Sequence, residues 1–282
     1  MSVLRARAPG KLNLCLFVAE PREDGLHPLV SVVQALTLAD ELTLEPAGGD
    51  GDEVVCPGVE GPNLAARALA LYREATGWDA PPQRLTIEKR IPVAAGMGGG
   101  SADAAAALRL AAHAAGRPVP PELAPRLGAD VASLLRPGRV LMTGAGEHVE
   151  PLAPAPLGVL VLPVEAELST PAVYREADRL GLTRSHAGLA QLDALVRVGT
   201  WAPENDLQDA ARSLCPRIDT ALDAARAAGA DHVLVSGSGP TVVGLFGGAD
   251  GPARAAAAAS ESRWPRATAA EPVDEAWAAV RG

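Results

Sequence analysis

A chain of 282 residues, 48% hydrophobic and 21% charged, can bury one or two sizeable cores, which excludes a disordered or fibrous protein. Its formal net charge of −9, with no dense lysine and arginine run, argues against nucleic acid and anionic membrane as partners, so an anionic ligand needs a local positive site. Cys15, Cys56 and Cys215 are far apart, the histidines show no metal-ligand spacing, and no apolar run reaches about 18 residues; we expect a cytoplasmic protein with reduced thiols, neither secreted nor membrane-spanning.

Residues 3–18, VLRARAPGKLNLCLFV, read as strands broken at Pro9 and Gly10. Because strand side chains alternate, Lys11, Asn13 and Cys15 should share one face and Leu12, Leu14 and Leu16 the other. The segment EPREDGLHPL is turn chemistry, with Pro21, Asp24, Gly25 and Pro28 bracketing His27. Two apolar strand segments follow, separated near Ala39 and Asp40, and the glycine- and acid-rich stretch 47–62 reads as a surface loop. Asn63 then caps an amphipathic helix that stops at Gly77.

The next stretch, LTIEKRIPVAAGMGGGSADAAAALRLAAHAAG at 85–116, reads as strand, glycine loop and alanine-rich helix. Glycines at 96, 98, 99 and 100 let the backbone bring several N–H groups to an anion where the helix presents its unpaired donors. The loop lacks the Gly-Lys-Ser/Thr ending of a Walker loop and the glycine spacing of a dinucleotide fingerprint. A flexible connection is the competing reading, weakened by the helix directly downstream.

Beyond it, a short helix follows Pro120 and Pro121, and Asp130 precedes a second apolar run, where it could serve as a helix cap or as a chemical group. Strands are expected across 139–168, a helix from STPAVYREADRLG, and helices broken at Pro203 and Pro216 over 185–230. HVLVSGSGPTVVGLF reads as strand, glycine turn, strand, followed by a helix near 252–262 and a short helical tail near 272–280. Early strands with later helices point to an α+β protein.

Three stretches, PGKLNLCL at 9–16, PVAAGMGGGSADAA at 92–105 and VSGSGPTVVGLF at 235–246, resemble in order and spacing the motifs of the GHMP kinases, named for galactokinase, homoserine kinase, mevalonate kinase and phosphomevalonate kinase. With DGLHPLVSVVQALTLADEL, LGADV and the total length, the chain is most similar to the branch acting on a cytidine diphosphate-linked methylerythritol in non-mevalonate isoprenoid synthesis. The resemblance implies two α+β domains, a ribosomal protein S5 domain 2-like ATP-binding one over 1–155 and a ferredoxin-like substrate-side one over 156–282. It implies transfer of the ATP γ-phosphoryl group to the substrate 2-hydroxyl, with Asp130 matching the general base and Lys11 lying beside it. That suits phosphoryl transfer, which needs a carboxylate within reach of the hydroxyl proton and a cation near the reacting oxygen. A nucleotide-binding module without catalysis, or a GHMP kinase for another alcohol, are the other readings, and retention of both Lys11 and Asp130 speaks against the first.

The same resemblance assigns the nucleotide to Asn63, Lys89 and the run Pro92, Val93, Ala94, Ala95, Gly96, Met97, Gly98, Gly99, Gly100, Ser101 and Ala102. For Asn63 and Lys89 the alternatives are a helix cap and an exposed strand charge. It assigns the acceptor to Asn13, Leu26, His27, Asp130, Thr170, Tyr174, Gly237 and Gly239, with Tyr174 either stacking on cytosine or filling a core. Leu26 departs from the family's tyrosine, and Ala132 stands where proline usually follows the aspartate-valine pair. Mg²⁺ is expected with ATP, held mainly by phosphates and water with help from Ser101 and Asp103, without a resident metal site. A monomer or weak homodimer is expected.

Overall fold

The computed structural model describes residues 3–93 and 95–282. In chain order its elements are β1 (Leu4–Val18), β2 (Leu29–Pro46), β3 (Glu53–Val55), α1 (Leu64–Thr76), β4 (Gln83–Glu88), α2 (Gly99–Ala115), α3 (Leu123–Leu127), α4 (Ala129–Leu135), β5 (Arg139–Thr143), β6 (His148–Pro151), β7 (Leu157–Leu162), α5 (Thr170–Leu180), α6 (His186–Arg197), α7 (Gln208–Leu214), α8 (Arg217–Ala227), β8 (His232–Val235), β9 (Val242–Gly247), α9 (Gly251–Glu261) and β10 (Thr268–Ala270). Strands β1 to β6 form one sheet, and β7 to β10 form a second in the order β10-β7-β9-β8. Among the strands of the described residues only β3 with β4 is a parallel pair, so the architecture is α+β.

The long strand β2 is the spine of the first sheet. It pairs with β1 along its length, with β5 at Ser31–Gln34 and with β4 at Glu41–Pro46, so the break expected near Ala39 and Asp40 does not occur. Nor is β1 broken at Pro9; the missing N–H is absorbed at a register shift between Pro9 and Lys11. A second shift between Asn13 and Cys15 reverses the expected alternation. Lys11 and Asn13 are joined on their face by Leu16, whereas Cys15 turns into the first core with Leu12 and Leu14.

Alanine-rich α2 packs against β1, α1 and α4, with Ala102, Ala104, Ala105, Ala106, Ala107, Leu108, Leu110 and Ala111 all buried. Side chains of one carbon let its backbone lie close to the sheet. Burial of Leu85, Ile87 and Ile91 beside it contributes about 1.5–3 kcal/mol each. In the second sheet alternation holds. Val159, Val161, Val243 and Leu245 face the first core, while Leu160, Leu162, Val242 and Phe246 face a second core filled from α5, α7, α8 and α9.

Two other local expectations change. The loop 47–62 contains β3, whose backbone pairs with Arg84–Thr86. Residues 272–280 form turns rather than a helix, because their backbone groups are used by the first sheet: Val273 N–H donates to the Ala35 carbonyl, and Arg281 pairs with Arg5. No described helix is long and apolar enough to cross a membrane.

Candidate active site

A cavity of about 580 Å³ is lined from both sheets' halves of the chain. At one end, the glycine loop enters α2 through Gly96 and Gly98, with φ of 74° and 67°, a region that strains any L side chain. No side chain caps α2, and among the described residues the N–H groups of Gly99, Gly100 and Ser101 have no acceptor. These free donors and the positive end of a helix of 17 residues make an anion cradle.

Lys11 lies beside this cradle. Its side chain is 7% exposed, its Nζ donates to Asn13 Oδ1 at 2.8 Å and stands 3.4 Å from Asp130 Oδ2. Asn13 Nδ2 donates in turn to Ser31 Oγ at 2.7 Å, and Ser31 donates to the Cys15 carbonyl, so the orientation of the asparagine is determined by its partners. Asp130 sits in the first turn of α4, two residues past the Gly128 cap, and caps nothing. A Cβ on Gly98 would meet Lys11 Cγ at 3.0 Å, and one on Gly237 would meet Nζ at 3.2 Å. The lysine thus runs between two glycine loops that only glycine leaves room for.

Lys89 is not an exposed strand charge. Its Nζ bridges Asp40 Oδ2 at 2.5 Å and Asp103 Oδ2 at 2.7 Å. Burial opposes its charge, yet Asp103 and Asp40 outweigh that and raise its pKa. Asp40 also accepts the Arg90 and Ile91 N–H groups. Asp103 has fewer partners: its Oδ1 is buried and unbonded among the described residues. Burial, opposed by Lys89 and reinforced by Asp40, pushes its carboxyl up to about 7.

The loop between β8 and β9 closes the other side. Ser236 Oγ donates to the Gly96 carbonyl at 3.1 Å, and Thr170 Oγ1 pairs with Ser238 Oγ at 2.9 Å, tying the glycine loop, this loop and α5 together. Asn205 Nδ2 donates to the Val235 and Gly237 carbonyls at 2.8 and 2.7 Å. Tyr174 on α5 lines the cavity beside Leu16, Leu29 and Met142, and burial plus the charge of Asp130 pushes its hydroxyl up to about 12. Its ring centre is 5.1 Å from that of His27.

Of the residues expected from sequence, Lys11, Asn13, Asn63, Lys89, Pro92, Val93, Ala95, Gly96, Gly98, Gly99, Gly100, Ser101, Asp130, Thr170, Tyr174 and Gly237 line this one cavity. Asn63 is also a helix cap, its Oδ1 accepting the Ala65 N–H, which leaves its amide N–H groups to the cavity. Met97 and Ala102 are buried beneath the lining, the Met97 carbonyl accepting the Lys11 N–H. Gly239 stands behind Gly96, His27 stands behind Tyr174, and Leu26 is 52% exposed outside the lining. Ala94 lies outside the described residues. Sequence reasoning missed Asp40, Asn205 and Ser236, whose partners lie 49, 32 and 140 positions away and leave no local signal.

The family models of the GHMP kinases match this chain twice, the N terminal domain at residues 63–136 and the C terminal one at 188–265. A 4-diphosphocytidyl-2-C-methyl-D-erythritol kinase of Streptomyces coelicolor is 44% identical over 260 residues, 85% of this chain and 86% of that protein. The enzyme of that name from Kineococcus radiotolerans is 40% identical over 86% of this chain and 81% of its own length. A crystal structure of 4-(cytidine 5'-diphospho)-2C-methyl-D-erythritol kinase superposes with a TM-score of 0.74 at 38% identity, covering 95% of this chain and 98% of that one. A homoserine kinase from Cytophaga hutchinsonii, 18% identical, has the same fold at a TM-score of 0.69 over 100% of this chain and 98% of its own.

Proposed function

The chain belongs to the GHMP kinases, and from that premise we propose that it transfers the γ-phosphoryl group of ATP to the 2-hydroxyl of 4-diphosphocytidyl-2-C-methyl-D-erythritol. The observation that carries this reading is the buried Lys11 ammonium, 3.4 Å from Asp130 and enclosed by two glycine loops at the head of α2. A site that merely bound nucleotide would need no carboxylate there.

Asp130 accepts the proton of the acceptor hydroxyl as its oxygen forms the bond to the γ-phosphorus and ADP leaves. Lys11 steadies the charge on that oxygen, and Asn13 keeps the ammonium aimed at it. The free amides of Gly99, Gly100 and Ser101 hold phosphate oxygens, while Asn63 and Lys89 border the rest of the nucleotide. Tyr174 offers its ring to the cytosine, with Thr170, Gly237 and Gly239 supporting the acceptor side. The nucleotide thus falls chiefly to residues 1–155 and the acceptor base chiefly to 156–282.

Mg²⁺ accompanies ATP in this reading. It is held mainly by phosphates and water. Ser101 and Asp103, which both line the cavity, are the side chains placed to assist it. When bound, the ion neutralises charge on the phosphates. The protein acts in the cytoplasm as a monomer or weak homodimer.

A coupled ADP-release assay with a panel of alcohols tests the reading. Turnover of the cytidylyl-methylerythritol above all other acceptors is the expected result. Turnover of a different alcohol alone would overturn the acceptor while leaving the kinase class intact, an outcome to which Leu26 directs attention.

A further inference from the structure

The α5 helix carries two acids with different situations. Glu176 is paired with Arg179 and accepts from Ser213, and these bonds hold its carboxyl down at about 2. Asp178 lies in the last turn of the helix, where a negative charge meets the negative end of the helix dipole and costs stability. Among the described residues the only basic side chain within ion-pair distance of it is His27, Nε2 to Oδ2 at 3.4 Å.

His27 comes from the turn between β1 and β2. Its Nδ1 is 2.8 Å from the Ala19 carbonyl oxygen, and since a carbonyl only accepts, Nδ1 carries a proton and donates it. The other ring nitrogen is directed to Asp178. Both edges of the imidazole are therefore engaged by the protein, one by the end of β1 and one by α5, while its ring stands tilted by 48° against that of Tyr174, four residues before Asp178 on the same side of the helix. The ring is a strut between the turn and the helix.

Building on the function proposed above, we propose that Asp178 is a positioning residue for the nucleobase of the acceptor. Acting through His27, it holds the 21–28 turn at a fixed distance from α5 and holds the Tyr174 ring at the angle the base meets. It touches neither ATP nor the reacting atoms.

The test is a double-mutant cycle on steady-state constants, with Asp178→Ala, Asp178→Asn, His27→Ala and the Asp178→Ala/His27→Ala pair. Asp178→Ala should raise KM for the cytidylyl-methylerythritol by about threefold to fivefold, the upper part of the range for a partly exposed ion pair, with kcat and KM for ATP within about 1.5-fold. Asp178→Asn keeps an oxygen for the ring and should recover most of the loss. In the His27→Ala background Asp178→Ala should add nothing. An unchanged acceptor KM, an equal effect in both backgrounds, or an ATP KM that moves in step overturns the role of Asp178. Absence of wild-type turnover with the cytidylyl compound overturns the proposed function and this inference with it, whereas turnover without an Asp178 effect overturns the inference alone.

Discussion

Replacing Gly96 by alanine probes the contact between the glycine loop and the loop after β8. At φ of 74° an L residue costs about 1–2 kcal/mol relative to glycine. The added Cβ would also overlap the carbonyl oxygen of Ser236 and lie 2.7 Å from that of Gly239, both backbone atoms that cannot rotate away. Overpacking of this kind costs about 1–3 kcal/mol, for a total of about 2–5 kcal/mol. At about 2–4 °C per kcal/mol for a chain of this size, the melting temperature should fall by roughly 4–20 °C. Relief requires the two loops to part, which breaks the Ser236 bond to the Gly96 carbonyl and loosens the walls around Lys11, so kcat should fall as well. Gly100→Ala is the internal comparison: it is helical and nothing lies within 4 Å of its added Cβ. Without ATP that variant should match or exceed the wild type by up to about 1 kcal/mol, while its KM for ATP rises because Gly100 lines the cavity at the cradle. Melts by calorimetry with and without ATP, beside steady-state kinetics, check both. A Gly96→Ala protein that melts with the wild type and keeps its kcat would refute the claim that the loops are locked together.

Asp130→Asn should lower kcat by roughly 10²–10⁴-fold with ATP binding retained, the range for losing a general base; wild-type turnover would remove it from that role. Tyr174→Ala should raise KM for the cytidylyl acceptor more than KM for ATP, and equal changes would place the ring in the core only. Asp103 bears on stability against pH. Its folded pKa of about 7 lies above the unfolded value, so between about pH 4 and 7 the folded protein keeps a proton that the unfolded chain has released. Stability therefore falls as pH rises through that window, by no more than about 4 kcal/mol, and levels off above it. Asp103→Asn should flatten this slope in a melt series from about pH 4 to 8, and an unchanged slope would show that another group is responsible.

The motif-bearing stretches were legible because their chemistry is local: glycines before a helix, a lysine beside an asparagine, an aspartate opening a short helix. What escaped reading was decided at a distance. The bulge that turns Cys15 inward and Leu16 toward the cavity depends on how β2 pairs with β1, which no alternation within 3–18 reveals. Lys89 could be taken for a solvated charge until the fold brought Asp40 and Asp103 to it. The tail near 272–280 has helical composition, yet the edge of β2 offers its backbone better partners than a short isolated helix would.

Strand β1 has a consequence for dissecting the molecule. Its first part packs in the core of the first sheet, while Leu16 and Val18 pack in the core of the second, and the chain end returns to pair with Arg5. A protein cut near residue 155 would give a first fragment with bare leucine and valine side chains and a second lacking part of its interior. Neither piece is expected to fold by itself. Expressed together they carry complementary seams, so this kinase lends itself to a split reporter whose activity returns only when the halves are brought into contact.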